Sequence, residues 1–318
     1  MKGREVATYK VVVSDQVFPT VDLERAMLAE IDAELLVATG DVEAVLEVAA
    51  DADAILNTYL SWSADALSRL ERCKIIARYG IGVDNIDLEA AAASGIVVTN
   101  VPDYSVQEVA AHSLALMMAM LRKVTVGDAV IRSGGWKIDA LRPIRRLSTL
   151  TVGLLGFGRI ARRFAEAVKA LEMDLVVYDP YVEPGPGIPR LVDLDELLAV
   201  SDVVSVNAPA TPETRGMINA GNLAKMKPSA ILVNTSRGPL VVLDDLLAAL
   251  RKGTIAGAAL DVFEQEPLDA SRIEGVPNLL VTPHMAYYSE EALQESQRKA
   301  TTQVVKVLTG EEPDYQVN

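Results

Sequence analysis

Thr151-Val-Gly-Leu-Leu-Gly-Phe-Gly-Arg-Ile-Ala161 is the stretch from which the organisation of this chain is read. An apolar run of strand length, Val152 to Leu155, is broken by Gly156 and Gly158. Arg159 then opens Arg-Ile-Ala-Arg-Arg-Phe-Ala-Glu-Ala-Val, whose apolar residues recur at helical spacing. Strand, glycine turn and helix form the context in which G-x-G-x-x-G/A marks a dinucleotide site. Gly156 allows the tight turn, Gly158 lets the main chain approach a pyrophosphate, and Ala161 at the third position lets helix and strand pack closely. The phosphates would rest on the open N–H groups of the helix N-terminus, whose dipole favours an anion.

The next apolar strand, Leu175-Val-Val-Tyr178, ends in Asp179. An acidic residue there accepts hydrogen bonds from an adenosine ribose and repels a 2′-phosphate. Pro180 and Tyr181 follow it rather than an arginine, so NAD is expected in preference to NADP.

Composition narrows the remaining choices. At 318 residues, half of them hydrophobic, the chain suits two domains with large cores and not a disordered segment. A net charge of −14 speaks against nucleic acid and anionic membrane as partners, although a few local arginines can still receive a small anion. The single Cys73 permits no internal disulfide and, standing before an apolar strand, reads as packing. No signal peptide opens the chain, and its longest apolar run, Val109 to Leu121, is too short for a membrane span, so a cytoplasmic location is expected. No metal is expected either.

Through the first hundred residues strand and helix signals alternate. Strands are read at Lys10–Ser14, Glu34–Val37, Ala54–Leu56, Lys74–Ala77 and Ile96–Val98. Helices are read at Val21–Glu30, Val42–Ala50, Ala64–Leu70 and Leu88–Ser94. Such alternation makes a parallel sheet covered by helices. Ser14-Asp-Gln-Val-Phe-Pro follows its first strand in place of a glycine phosphate loop, so this unit is not expected to hold a dinucleotide. Its informative piece is Arg78-Tyr-Gly-Ile-Gly-Val-Asp-Asn-Ile-Asp87, where Gly80 and Gly82 expose N–H groups beside Arg78 at the carboxyl edge of the sheet. That combination suits a carboxylate, and equally an ordinary glycine loop with a solvated arginine.

Asn100-Val-Pro-Asp-Tyr104 reads as a crossing between domains. A long helix is expected from Ser105 to Leu121, started by Ser105 with Glu108 at capping-box spacing and apolar around most of its circumference, as at a subunit interface. His112 within it reads as a packed histidine, and the basic run Arg142-Pro-Ile-Arg-Arg146 as a solvated surface. After an exposed loop, Tyr181 to Pro189, buried strands end successively at Asn207, at Thr235-Ser-Arg237, at Asp261 leading into Glu266-Pro267, and at Thr282-Pro-His284. Polar residues at the carboxyl ends of parallel strands face one crevice. Hydride transfer to a 2-keto acid leaves negative charge on the former carbonyl oxygen, and a histidine, with an ordinary pKa near neutrality, suits delivery of the proton. His284 takes that part, Glu266 orients its ring and stabilises its protonated form, Arg237 offers a planar fork to the substrate carboxylate, and Asp261 meets the nicotinamide side.

These motifs together resemble the D-isomer-specific 2-hydroxyacid dehydrogenase family over nearly the whole chain. The residues that carry the likeness are Arg78–Asp87, Gly153-Leu-Leu-Gly-Phe-Gly-Arg-Ile160, Val233-Asn-Thr-Ser-Arg-Gly238, Asp261-Val-Phe-Glu-Gln-Glu-Pro267 and Pro283-His284. The resemblance implies an α/β fold of two Rossmann-like domains, each a parallel sheet flanked by helices, with a cleft between them. It implies a discontinuous substrate domain, 1–103 plus 288–318, and an NAD-binding domain, 104–287. It assigns catalysis to Arg237, Glu266 and His284, and the substrate carboxylate to Arg78 and Gly82. Cofactor contacts fall to Gly156, Gly158, Arg159, Ile160, Asp179, Thr235 and Asp261. It further implies a homodimer joined through the NAD domains.

Within the family the likeness is strongest to the subgroup of C-terminal-binding protein and phosphoglycerate dehydrogenase. Tyr287 stands where the corepressors carry tryptophan, and Val242 where an acidic residue is usual. Glu266 stands where formate dehydrogenases carry glutamine. The loop Asn57–Ser63 lacks the arginine that phosphoglycerate dehydrogenases tend to place there, and Asn318 leaves no room for a regulatory domain. A small or partly apolar 2-hydroxy acid is therefore expected, with D-3-phosphoglycerate as the alternative substrate and an NADH-sensing, partner-binding protein as the alternative of another class.

Overall fold

Parallel strands need a crossover to bring the chain back to the same edge, and helices supply it. In the computed structural model, which describes residues 8–318, the chain divides into two compact units, Met1–Tyr104 with Ser289–Asn318, and Ser105–Tyr288. Each unit is built on its own parallel sheet.

The first unit runs β1 (Tyr9–Val13), α1 (Asp22–Ala29), β2 (Ala33–Val37), α2 (Val42–Ala49), β3 (Ala54–Asn57), α3 (Ala64–Ser68), β4 (Ile75–Arg78), α4 (Leu88–Ala93) and β5 (Val97–Thr99). Its sheet order is β2-β1-β3-β4-β5. Val11, Val12, Ile55, Leu56, Ile75 and Ile76 have no exposed surface, which is why these strands read as continuous apolar runs rather than alternating ones. Asp41, Ser63 and Asp87 cap α2, α3 and α4 by accepting the N–H of Ala44, Ala66 and Ala90. Where a phosphate loop would follow β1 stands Asp15. Its carboxylate accepts the N–H groups of Thr58 at 2.8 Å and Leu60 at 3.0 Å, and that of Tyr59 between them. The donors of the loop after β3 are thus taken up within the chain. Cys73 is buried, and burial pushes its thiol up to about 12, as suits a packing residue.

The second unit runs α5 (Val106–Leu121), α6 (Val124–Arg132), β6 (Thr151–Leu155), α7 (Arg159–Ala170), β7 (Asp174–Tyr178), β8 (Arg190–Leu191), α8 (Leu194–Val200), β9 (Val203–Val206), α9 (Ala220–Leu223), β10 (Ile231–Asn234), α10 (Leu243–Lys252), β11 (Gly257–Leu260) and β12 (Leu279–Val281). Its sheet order is β12-β11-β10-β9-β6-β7-β8. The closing helix, α11 (Glu290–Thr309), belongs to the first unit, where it packs on α1, β3 and β4.

The start of α5 departs from the sequence reading. Ser105 precedes α5 but makes no side-chain cap: its ψ of 25° is outside the extended region that aims a capping hydroxyl at the helix N–H groups. The capping box with Glu108 is therefore not formed through that hydroxyl. Within the chain, helix α5 buries Val109, Ala110, Ser113, Leu116 and Met117. Helix α6, over a stretch to which the sequence analysis assigns no element, buries none of its residues. The basic run is surface: Arg145 pairs with Asp202 at 2.6 Å and Arg142 with Asp139 at 3.6 Å. Val242 leaves α10 without a side-chain cap.

Candidate active site

Strand β6 lies between β7 and β9, where the order of the sheet reverses, and this is the place an open α/β sheet offers a ligand. The glycine turn follows directly. Gly156 has φ of +89°, and a Cβ on it would come within 2.8 Å of the Asn207 carbonyl oxygen, so the turn demands glycine on both counts. Gly158 is the N-cap of α7 with no side-chain cap, and a Cβ there would meet no protein atom within 4 Å. Within the chain nothing requires that glycine, and the N–H groups of the helix start are left to an anion from outside. Arg159 is exposed, Ile160 half-buried and Ala161 fully buried against the sheet. Asp179, at the end of β7, accepts the Phe157 N–H at 2.8 Å and the Tyr181 N–H at 2.9 Å. Its carboxylate thereby straps the glycine turn to the neighbouring strand.

At the end of β10 the turn is held by Asn234, whose side chain accepts the Ser236 N–H at 3.0 Å and donates to the Arg237 carbonyl at 2.9 Å. Thr235 is buried, and Arg237 is half-buried with Nη1 donating to the Ser236 carbonyl at 2.8 Å. At the ends of β11 and β12, Glu266 and His284 meet: the Glu266 Oε2 lies 2.6 Å from His284 Nδ1, while Oε1 accepts the Phe263 N–H at 2.8 Å. Burial works against the charged form of Glu266, but hydrogen bonds from His284 and from Phe263 outweigh it and hold the carboxyl below the usual glutamate range. The ionised carboxylate thus supports the folded state above the ordinary glutamate pKa of about 4.3. That support is lost as pH falls through the lowered value. Thermal midpoints followed from neutral pH downward should fall less steeply in Glu266→Gln than in the wild type; the other lowered carboxylates, Asp261 among them, still contribute in both.

His284 takes a left-handed backbone, φ +51°, and Asp261 holds it there. The Asp261 carbonyl accepts the His284 N–H at 2.8 Å, its Oδ1 the Met285 N–H at 3.0 Å and its Oδ2 the Ala286 N–H at 2.9 Å. Asp261 is fully buried, and although burial opposes its ionisation, hydrogen bonds from His112, Thr282 and this turn hold its pKa at about 2. Asp261, expected from sequence at the nicotinamide side, lies behind the histidine turn, its Oδ1 also accepting the Thr282 hydroxyl at 2.5 Å. Tyr287 packs edge-on to the His284 ring at 6.1 Å between centroids.

The second unit therefore gathers Thr235, Arg237, Asp261, Glu266 and His284 at the carboxyl ends of β10, β11 and β12, with Glu266 and His284 in direct contact. Arg78 and Gly82 belong to the first unit, at and just after the end of β4. There the Arg78 guanidinium lies over Gly80, where a Cβ would sit 1.5 Å from Nη1. Residues not singled out from sequence include Asn234, Ser113 and Thr282. Asn234 carried a signal, since Asn before Thr-Ser commonly bonds the main chain two residues on. The other two act across long sequence separations and carried none. Among the described residues no group of His, Cys, Asp and Glu could hold a metal ion, and no helix is long and apolar enough to cross a membrane.

A glycine turn at the reversal point of a parallel sheet, with an acid closing the next strand, defines a dinucleotide-binding α/β unit. Residues 114–286 match the family described as D-isomer specific 2-hydroxyacid dehydrogenase, NAD binding domain. The chain belongs to the D-isomer specific 2-hydroxyacid dehydrogenase family. It is 37% identical over 291 residues to a D-3-phosphoglycerate dehydrogenase of Methanocaldococcus jannaschii, covering 90% of this chain and 55% of that protein. It is 38% identical over 260 residues to a glycerate dehydrogenase of Methylorubrum extorquens, covering 79% of this chain and 81% of that protein. The chain thus spans about half the length of the phosphoglycerate dehydrogenases it matches. Among solved structures it is similar to a D-lactate dehydrogenase from Aquifex aeolicus complexed with NAD and lactic acid, with a TM-score of 0.87 and 29% identity over 94% of this chain and 96% of that one.

Proposed function

We propose that this chain is an NAD-dependent dehydrogenase that moves a hydride between the nicotinamide and C2 of a D-2-hydroxy acid or its 2-keto acid. The observation that carries the proposal is the 2.6 Å contact between Glu266 and His284 at the strand ends of an NAD-binding domain. NAD, when bound, supplies or accepts the hydride. The glycine turn and the start of α7, with Gly156, Gly158, Arg159 and Ile160, hold its pyrophosphate, and Asp179 accepts from its ribose. Thr235 stands at the nicotinamide end, with Asp261 behind it fixing the His284 turn.

With Nδ1 committed to Glu266, His284 delivers or takes the proton through Nε2, and the carboxylate stabilises the protonated ring. Arg237 presents its planar guanidinium to the substrate carboxylate and polarises the carbonyl. For Arg78 and Gly82 the proposed role is to hold the same carboxylate. The preferred substrate is a small 2-hydroxy acid without a phosphate: Asn57–Ser63 contains no cation, and the N–H groups of Thr58, Tyr59 and Leu60 are already bonded to Asp15. The likeness to phosphoglycerate dehydrogenases favours D-3-phosphoglycerate as a second reading. NADH consumption with hydroxypyruvate and 3-phosphohydroxypyruvate side by side decides between them, and a higher kcat/KM for the phosphorylated acid overturns the preference.

A homodimer through the NAD domain belongs to the same proposal. Helix α6 and the segment after it expose Val124, Ile131, Trp136 (86% exposed) and Ile138, an apolar strip of the kind a partner covers. Sedimentation of the full chain at micromolar concentration should give a dimer, with Trp136→Glu shifting it toward monomer; a monomeric wild type contradicts this.

A further inference from the structure

We infer that helix α5 positions the nicotinamide end of the site, through His112 and Ser113. This rests on the dehydrogenase reading above and adds two residues to it. Helix α5 packs on β10 and β11, and its direction is set by two observations. Near its end, Met120 lies where a Cβ on Gly257, the first residue of β11, would come within 2.5 Å of it. At its middle, His112 and Ser113 reach residues just past the carboxyl ends of β12 and β10.

Counting protons fixes the direction of each bond. A carboxylate only accepts, so the Thr282 hydroxyl, 2.5 Å from Asp261 Oδ1, donates to it. The single hydroxyl hydrogen of Thr282 is then spent. The 3.0 Å contact between His112 Nε2 and Thr282 Oγ1 must therefore be donated by the ring. His112 carries a hydrogen on Nε2 and heads a chain from His112 to Thr282 to the Asp261 carboxylate, ending on the N–H groups of Met285 and Ala286. Those two bonds, with the His284 N–H on the Asp261 main-chain carbonyl, hold His284 in its left-handed conformation, which a non-glycine residue keeps only when its surroundings enforce it.

The second chain is shorter. Ser113 Oγ donates to the Val109 carbonyl at 2.8 Å, one helical turn back. The 2.7 Å contact with Thr235 Oγ1 must then be donated by Thr235. With its hydrogen pointed into the helix, Thr235 offers a ligand only lone pairs, so it suits a donor such as a ribose hydroxyl or an amide N–H. Two adjacent residues of one helix thus set the polarity of a group after β10 and the posture of the turn after β12, strands that have β11 between them.

The test uses purified full chain, NADH and the best 2-keto acid of the wild type. His112→Leu is expected to lower kcat by about tenfold, one hydrogen bond's worth, and to displace the pH profile of kcat. His112→Gln, which keeps a donor, restores most of the rate. Ser113→Ala frees the Thr235 hydroxyl and is expected to raise the KM for NADH several-fold with kcat nearly unchanged, and Ser113→Thr to reverse this. Equal impairment of His112→Leu and His112→Gln means that His112 only fills space, which overturns the inference. Variants that match an active wild type in kcat, KM and pH profile overturn it as well, while leaving the dehydrogenase reading intact. A wild type that binds NADH and turns over no 2-keto acid removes the reading itself.

Discussion

His284→Ala is expected to lower kcat for 2-keto-acid reduction by about 10²- to 10⁴-fold, the range that a positioned general acid contributes. NADH affinity should stay near that of the wild type, because the glycine turn, the start of α7 and Asp179 lie after β6 and β7 and share no bond with His284. The ring is the group that pairs with Glu266, and its loss removes both the proton and the charge Glu266 is placed to stabilise. A second variant separates chemistry from backbone: asparagine tolerates a left-handed backbone better than most residues, so His284→Asn should keep the turn and lose the rate equally. Stopped-flow turnover with NADH fluorescence titration reads both quantities. A histidine variant that retains wild-type kcat contradicts the assignment.

Gly238→Ala is expected to be the most damaging single methyl in the second unit. The added Cβ would lie 1.8 Å from the Phe263 carbonyl carbon and 1.9 Å from its oxygen, and 2.5 Å from the Glu264 nitrogen. These are main-chain atoms, so no side-chain rotation relieves the clash. Overpacking of this kind costs about 3 kcal/mol or more. The two segments forced apart carry Arg237 on one side and, three residues past Phe263, Glu266 on the other. A displacement of about 1 Å there costs on the order of a hundredfold in rate. Gly158→Ala provides the contrast, since its Cβ meets no protein atom within 4 Å. It should fold as stably as the wild type and show its defect in the KM for NADH. Denaturant unfolding and steady-state kinetics on both variants check the pair, and a stable, active Gly238→Ala would contradict the packing described.

What was legible in the sequence follows from how far each signal reaches. Apolar runs ending in polar residues mark β10 and β11 because the interior strands of a parallel sheet are covered on both faces, and their ends must be soluble. The glycine turn after β6 is local chemistry, φ of +89° at Gly156 and an open helix start at Gly158, so it is written in adjacent residues. Helix α6 buries none of its residues, and its apolar strip, Val124 and Ile131 among it, stays exposed instead of joining the core. Ser105 and Glu108 had capping spacing, yet the backbone angle at Ser105 is set by its buried surroundings rather than by the pattern. From sequence alone His112 reads as a packed residue. It is half-buried, but its bond to Thr282 spans 170 positions, and no local spacing could disclose it. Asp261 was placed at its strand end, while its burial, and hence the direction in which it acts, depends on the turn that folds over it.

The most direct test of hydride transfer centred on His284 is NAD reduction by the purified chain, offered the D and L forms of glycerate and of lactate in separate assays. NADH is expected to form with a D-isomer and not with the L-isomers, and the D activity to be lost in His284→Ala. NADH formation from an L-isomer, or D activity that survives His284→Ala, would contradict it.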